Sequence, residues 1–166
     1  PIPILIYNVP KFTGVNTDAA TVARAAAHPN IIGMKDTSGN ITQLADTVRL
    51  AGPEFQVLAG SAGFLLAGLA VGAVGGILAL ANIAPQVGLE ITRLFQAGAR
   101  EEAADLQREM IPVNNAVTGR FGIPGLKAAM DMLGYYGGPV RSPLLDLTED
   151  KRRILREVLQ EGGLLT

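Results

Sequence analysis

The chain has 166 residues, 48% hydrophobic and 17% charged, with 20 glycines and 10 prolines; this composition builds one compact domain and excludes a disordered chain. A formal net charge of −1 creates no field that would draw it to nucleic acid or an anionic membrane. With no cysteine, disulfides, thiolate zinc sites and a thiol nucleophile are ruled out, as expected of a cytoplasmic protein.

The first residues, Pro1-Ile2-Pro3, carry neither a methionine nor a basic lead-in and read as a fragment, or as numbering from an internal position, rather than as a signal peptide. Ile2 to Tyr7 is apolar and bounded by Asn8-Val9-Pro10, which predicts a buried strand. Thr17 to Ala27 follows as a helix, with Asn16 or Thr17 suited to cap it. The single histidine, His28, sits where that helix ends and reads as a surface residue; alone it builds no multi-histidine metal centre. Ile31 to Lys35 is the second strand, closed by Asp36-Thr37-Ser38-Gly39. Ile41 to Leu50 repeats apolar residues at helical spacing and stops at Gly52-Pro53. Phe55 to Ala59 is a third strand, Ala62 to Val71 a helix rich in glycine and alanine, and Gly75 to Ala79 a fourth strand.

Residues 55–89 contain no Asp, Glu, Lys or Arg, a length that could cross a bilayer. Seven glycines and serines interrupt the run between Gly60 and Gly76, and no basic cluster flanks it, so a buried strand–helix–strand is the better reading. Beyond Asn82 the pattern turns helical: Pro85 to Ala97, Ala99 to Val117 after a break at Gly98, and Pro124 to Leu133. A glycine-rich connector from Gly134 to Pro139 leads to a last helix from Glu149 to Gln160, with Thr148 as its expected cap.

Strand starts at 2, 31, 55 and 75 suit successive right-handed βα units, giving an α/β fold with a helical appendage. Four parallel strands cannot close a barrel alone. Another chain segment supplies more strands, two copies associate, or the sheet stays open.

Of the four lysines, Lys127 and Lys151 have ordinary helical contexts and Lys11 lies in a turn. Lys35 ends an otherwise apolar strand, and in α/β folds that end faces the catalytic mouth. A partly desolvated lysine favours the neutral amine that attacks a carbonyl; the plainer alternative is a lysine snorkelling to solvent. Tyr7 holds the matching position on the preceding strand, where a phenol could relay protons or simply cap a core. Gly60-Ser61-Ala62-Gly63 before a helix is a weak anion-binding signal, and Arg152, Arg153 and Arg156 with Glu149 and Glu157 read as a solvated helix face. No phosphate loop, dinucleotide fingerprint or metal-ligand cluster is present.

Tyr7-Asn8-Val9-Pro10 with Thr13-Gly14, then Gly33-Met34-Lys35-Asp36-Thr37-Ser38-Gly39, resembles the paired signature of the dihydrodipicolinate synthase / N-acetylneuraminate lyase superfamily. Phe55 to Gly60 and Gly75-Gly76-Ile77 through Asn82 continue the resemblance in order, onto the latter part of the family chain. It implies the C-terminal half of a (β/α)8 barrel over residues 1–84, then the last barrel helix and a helical region over 85–166. It also implies that Lys35 forms a Schiff base with pyruvate, that Tyr7 shuttles protons, and that Gly60 and Ile77 line the pyruvate pocket, with no cofactor and no metal. Within the superfamily, Val57 to Phe64, Asn115 to Lys127 and Gly134 to Pro139 are most similar to 4-hydroxy-2-oxoglutarate aldolases. Thr37 stands where those have a serine at the substrate's aldehyde end. Phe12 stands where dihydrodipicolinate synthases have a carboxylate-binding arginine. The family's pyruvate-carboxylate loop and a tyrosine from a neighbouring subunit belong to the N-terminal half, outside the matched stretch.

The expectation is therefore a class I aldolase that cleaves 4-hydroxy-2-oxoglutarate to pyruvate and glyoxylate, a homo-oligomer (dimer or tetramer) whose partner is a small 2-oxo acid, not nucleic acid or membrane. A dihydrodipicolinate synthase-type condensation of pyruvate with aspartate semialdehyde is the alternative. An inactive half-barrel with a structural or assembly role, or a small membrane protein, are the rivals of another class.

Overall fold

The computed structural model describes residues 2–166; Pro1 lies outside them. Four strands, β1 (Ile4–Asn8), β2 (Ile31–Asp36), β3 (Gln56–Ala59) and β4 (Gly75–Gly76), form one parallel sheet in the order β1-β2-β3-β4. Helices α1 (Pro10–Thr13) and α2 (Ala19–Ala26) follow β1, α3 (Ile41–Ala51) follows β2, and α4 (Leu65–Ala70) follows β3. Then come α5 (Pro85–Gln96), α6 (Arg100–Glu109), α7 (Ile111–Asn115), α8 (Gly122–Met132) and α9 (Glu149–Glu161). Parallel neighbours in chain order, joined by helices, are half of a (β/α)8 barrel followed by a helical appendage.

Strand alternation divides the sheet into two unlike faces. Met34, Val57 and Ala59 turn to the helices and are completely buried: Met34 and Val57 pack with Val22, Leu44 and Phe55, while Ala59 meets Leu65, Leu69 and Ile91. A third cluster joins Leu80, Ile83, Val113, Val117 and Ala129 to Leu155 and Leu159, which dock α9 on the appendage. The other face is only partly covered among the described residues, and Leu5 and Tyr7 on it are 41% and 51% exposed. The buried strand expected at Ile2 to Tyr7 runs over Ile4–Asn8, is half-exposed, and pairs with β2 among the described residues.

Other expectations are corrected in detail. Asp18, not Asn16 or Thr17, caps α2, its Oδ1 accepting from the Thr21 N–H at 2.8 Å. That hydrogen bond holds the Asp18 carboxyl below its ordinary pKa. Thr148 occupies the N-cap position of α9, but its side chain accepts no capping hydrogen bond; Glu149 and Asp150 meet the helix's positive end instead. The fourth strand is short, because the chain turns into a 3-10 turn over Ala79–Asn82. The helix expected over Ala62 to Val71 begins as a 3-10 turn, Ala62–Phe64. The one expected over Ala99 to Val117 breaks at Met110, where Pro112 in the next first turn has no N–H to continue the ladder, and ends in a π-helical turn over Ala116–Arg120. The uncharged stretch at 55–89 holds β3, α4, β4 and two 3-10 turns, and no described helix is long and apolar enough to cross a membrane.

Candidate active site

Tyr7 and Lys35 are direct partners across the β1–β2 ladder, so both side chains leave the sheet on its open face near the strands' carboxyl ends. The Lys35 Nζ lies 4.2 Å from the centroid of the Tyr7 ring. Lys35 as a residue is half-buried. Both residues line a cavity of about 340 Å³, together with Thr37 and Gly60. This is the size of a small-ligand site.

Thr37 follows β2 directly, and its backbone N–H donates to the Asn8 carbonyl at 2.9 Å. Its Oγ1 is buried and makes no hydrogen bond within the protein. An orphaned hydroxyl beside the cavity is a group waiting for a polar partner. Gly60 explains why Thr37 fits: the Gly60 N–H donates to the Asp36 carbonyl at 2.7 Å, and a Cβ there would run into Thr37 Oγ1 and lie 2.6 Å from that carbonyl. Ile77 is 44% exposed and lies outside the cavity, continuing the ladder through its N–H to the Ala59 carbonyl at 2.9 Å. The anion cradle considered at Gly60-Ser61-Ala62-Gly63 is partly spent, since the Gly63 N–H donates to Ser61 Oγ at 3.2 Å.

Sequence reading assigned no role to the cavity's far wall, which Val117, Ile123 and Leu126 build with Phe64. The π turn and α8 carry the first three. Pro112 and the glycines at 119, 122 and 125 were the available signal for an irregular helix there. Lys11 also reaches the rim, beside Phe12. Lys127 does not: its Nζ donates to the Gly137 carbonyl at 2.6 Å and clasps the connector, a tie its helical context did not announce. His28 is exposed and accepts from the Asn30 N–H at 3.1 Å, and Arg153 pairs with Glu157 on an exposed face.

A lysine and a tyrosine side by side over a small, mostly apolar cup, at the carboxyl ends of consecutive parallel strands, define the mouth of half a (β/α)8 barrel. The profile of the Dihydrodipicolinate synthetase family matches residues 1–162. A 4-hydroxy-tetrahydrodipicolinate synthase of Syntrophus aciditrophicus (strain SB) is 38% identical over 165 residues, 99% of this chain and 57% of the relative. The lysine-bound dihydrodipicolinate synthase of Cyanidioschyzon merolae superposes with a TM-score of 0.92 at 30% identity, over 98% of this chain and 55% of that one. A prophage protein of the dihydrodipicolinic acid synthase family from E. coli K12, in complex with pyruvate, gives 0.88 at 28% identity, over 98% and 56%. The chain belongs to the dihydrodipicolinate synthetase family. It spans a little over half the length of the relatives it matches.

Proposed function

We propose that the protein is a class I aldolase whose Lys35 condenses with the ketone of pyruvate or of a pyruvate-derived 2-oxo acid. The observation that carries this reading is the contact between the Lys35 amine and the Tyr7 ring at the cavity floor. The neutral amine attacks the carbonyl carbon, a carbinolamine forms, and one water leaves as the protonated imine appears. In bond making the imine first loses a proton from its α carbon, and the resulting enamine attacks the aldehyde and becomes an imine again. In bond breaking the imine takes up the electron pair, and the enamine left behind is protonated at that carbon. Returning water hydrolyses the imine and frees the amine. Tyr7 moves the protons between carbinolamine, leaving water and acceptor oxygen. The unpartnered Thr37 hydroxyl offers the acceptor a hydrogen bond.

For the acceptor, the names of the relatives favour a synthase-type condensation of pyruvate with aspartate semialdehyde. Phe12 favours a second reading, retro-aldol cleavage of 4-hydroxy-2-oxoglutarate, because it stands where the synthase pattern has an arginine and is 74% exposed at the rim. Turnover of pyruvate with aspartate semialdehyde and with glyoxylate, measured side by side in the full-length protein, separates the two. Consumption of neither aldehyde overturns the enzymatic reading and leaves a structural role.

A further inference from the structure

Behind the candidate site lies a polar cluster that its chemistry does not use. Alternation sends Asn8 and Asp36, each next in sequence to Tyr7 and Lys35, to the helix-covered face, where both are 1% exposed. They too are direct partners across the ladder, one row beyond the Tyr7–Lys35 pair. Asn8 Nδ2 donates to Asp36 Oδ1 at 3.1 Å and to Asn16 Oδ1 at 2.9 Å, while its Oδ1 accepts from the Thr17 N–H at 3.0 Å. Asp36 Oδ1 also accepts from the Ser38 N–H at 2.8 Å, and Gln43 Nε2 reaches Oδ2 at 3.5 Å. Asn16 Nδ2 donates in turn to Gln43 Oε1 at 2.7 Å, tying the cluster to α3.

Asp36 forms no ion pair with a cation among the described residues. A carboxylate buried on neutral donors alone is an expensive way to fill a sheet face, since an apolar pair of similar volume packs there without desolvation. What the cluster supplies is register. A slip of β1 on β2 by one residue would send Tyr7 to the helix side and put Ile6 or Asn8 in its place at the cavity. On the covered face Ile6 packs against the Met34 cluster, and the Asn8–Asp36 pair adds directional hydrogen bonds that a slipped register would break.

We infer that Asn8 and Asp36 are positioning residues, which lock β1 to β2 so that the Tyr7 phenol stays over the Lys35 amine. This rests on the aldolase reading above. The test compares Asn8→Ala, Asp36→Ala and the near-isosteric Asp36→Asn with the unaltered full-length protein, by steady-state kinetics, by melting temperature and by borohydride trapping with pyruvate. In the two alanine variants kcat should fall about 10- to 100-fold, the cost of displacing a catalytic group by about 1 Å. KM for pyruvate should stay within about threefold, because Lys35 remains on β2 and still traps pyruvate. Asp36→Asn keeps an oxygen for Asn8 and should restore most of kcat. Alanine variants that melt lower while the folded fraction keeps its full kcat would overturn the inference and leave the aldolase reading standing, as would Asp36→Asn losing as much kcat as Asp36→Ala. Unaltered protein that traps no pyruvate would remove the aldolase reading and this inference with it.

Discussion

The space where a side chain at Gly60 would sit is taken by the hydroxyl of Thr37, so the ends of β2 and β3 approach as closely as they do only because residue 60 is glycine. The contact is to backbone as well as to side chain, which leaves no cheap relaxation. Gly60→Ala is therefore expected to destabilise the fold by about 1–3 kcal/mol and to displace Thr37 from the cavity. Urea unfolding measures the first effect, and KM for the aldehyde the second. An alanine variant with unaltered midpoint and KM would show that Thr37 has room to move.

Tyr7→Phe keeps the ring over Lys35 and removes the hydroxyl. If the phenol carries protons, kcat should drop about 100- to 10,000-fold, with Schiff-base formation slowed but still completed. A variant that turns over like the parent would assign the proton transfers to another group.

At the rim, Lys11 is the second lysine lining the cavity among the described residues. Acceptors in both readings carry a carboxylate, and an exposed ammonium adds only a modest, salt-screened attraction. Lys11→Gln should raise KM for the aldehyde about 2- to 5-fold at low salt, less at high salt, with trapping of pyruvate unchanged. An equal rise for an uncharged aldehyde would point to packing instead of charge.

Lys127 and Asp131 hold the connector from both sides, through the Gly137 carbonyl at 2.6 Å and its N–H at 2.8 Å. Lys127→Met leaves that buried carbonyl without its donor and should cost about 1–3 kcal/mol of stability. The turnover of folded enzyme should not change, since Lys127 lies outside the cavity. Thermal melts and kinetics on the same sample check both halves of this expectation.

Much of this site was legible from residue order. Of four lysines only Lys35 closes an apolar strand, and alternation then puts Tyr7 on the same face. Less legible was the company these two keep. An all-apolar run at Ile2 to Tyr7 reads as buried because such runs normally are, yet burial depends on what covers the other face, which no local pattern encodes. The cap of α2 was expected at Asn16 or Thr17, one or two residues too early. Asp18 takes it, while Asn16 is engaged by Asn8 and Gln43. The far wall was hidden because a π turn adds one residue to a helix without disturbing the spacing of Val113, Ala116 and Val117 enough to be noticed. Ile77, a family position transferred by likeness, is not among the residues lining the cavity that Tyr7 and Lys35 share in this half of the barrel.

The account rests on covalent capture at one amine. Sodium borohydride added to the full-length protein with pyruvate, followed by peptide mass mapping, reads it directly. The account predicts one reduced adduct per chain, on the peptide containing Lys35, and none in Lys35→Ala. An adduct on Lys11, Lys127 or Lys151 in its place, or an unmodified Lys35 after reduction, would contradict it.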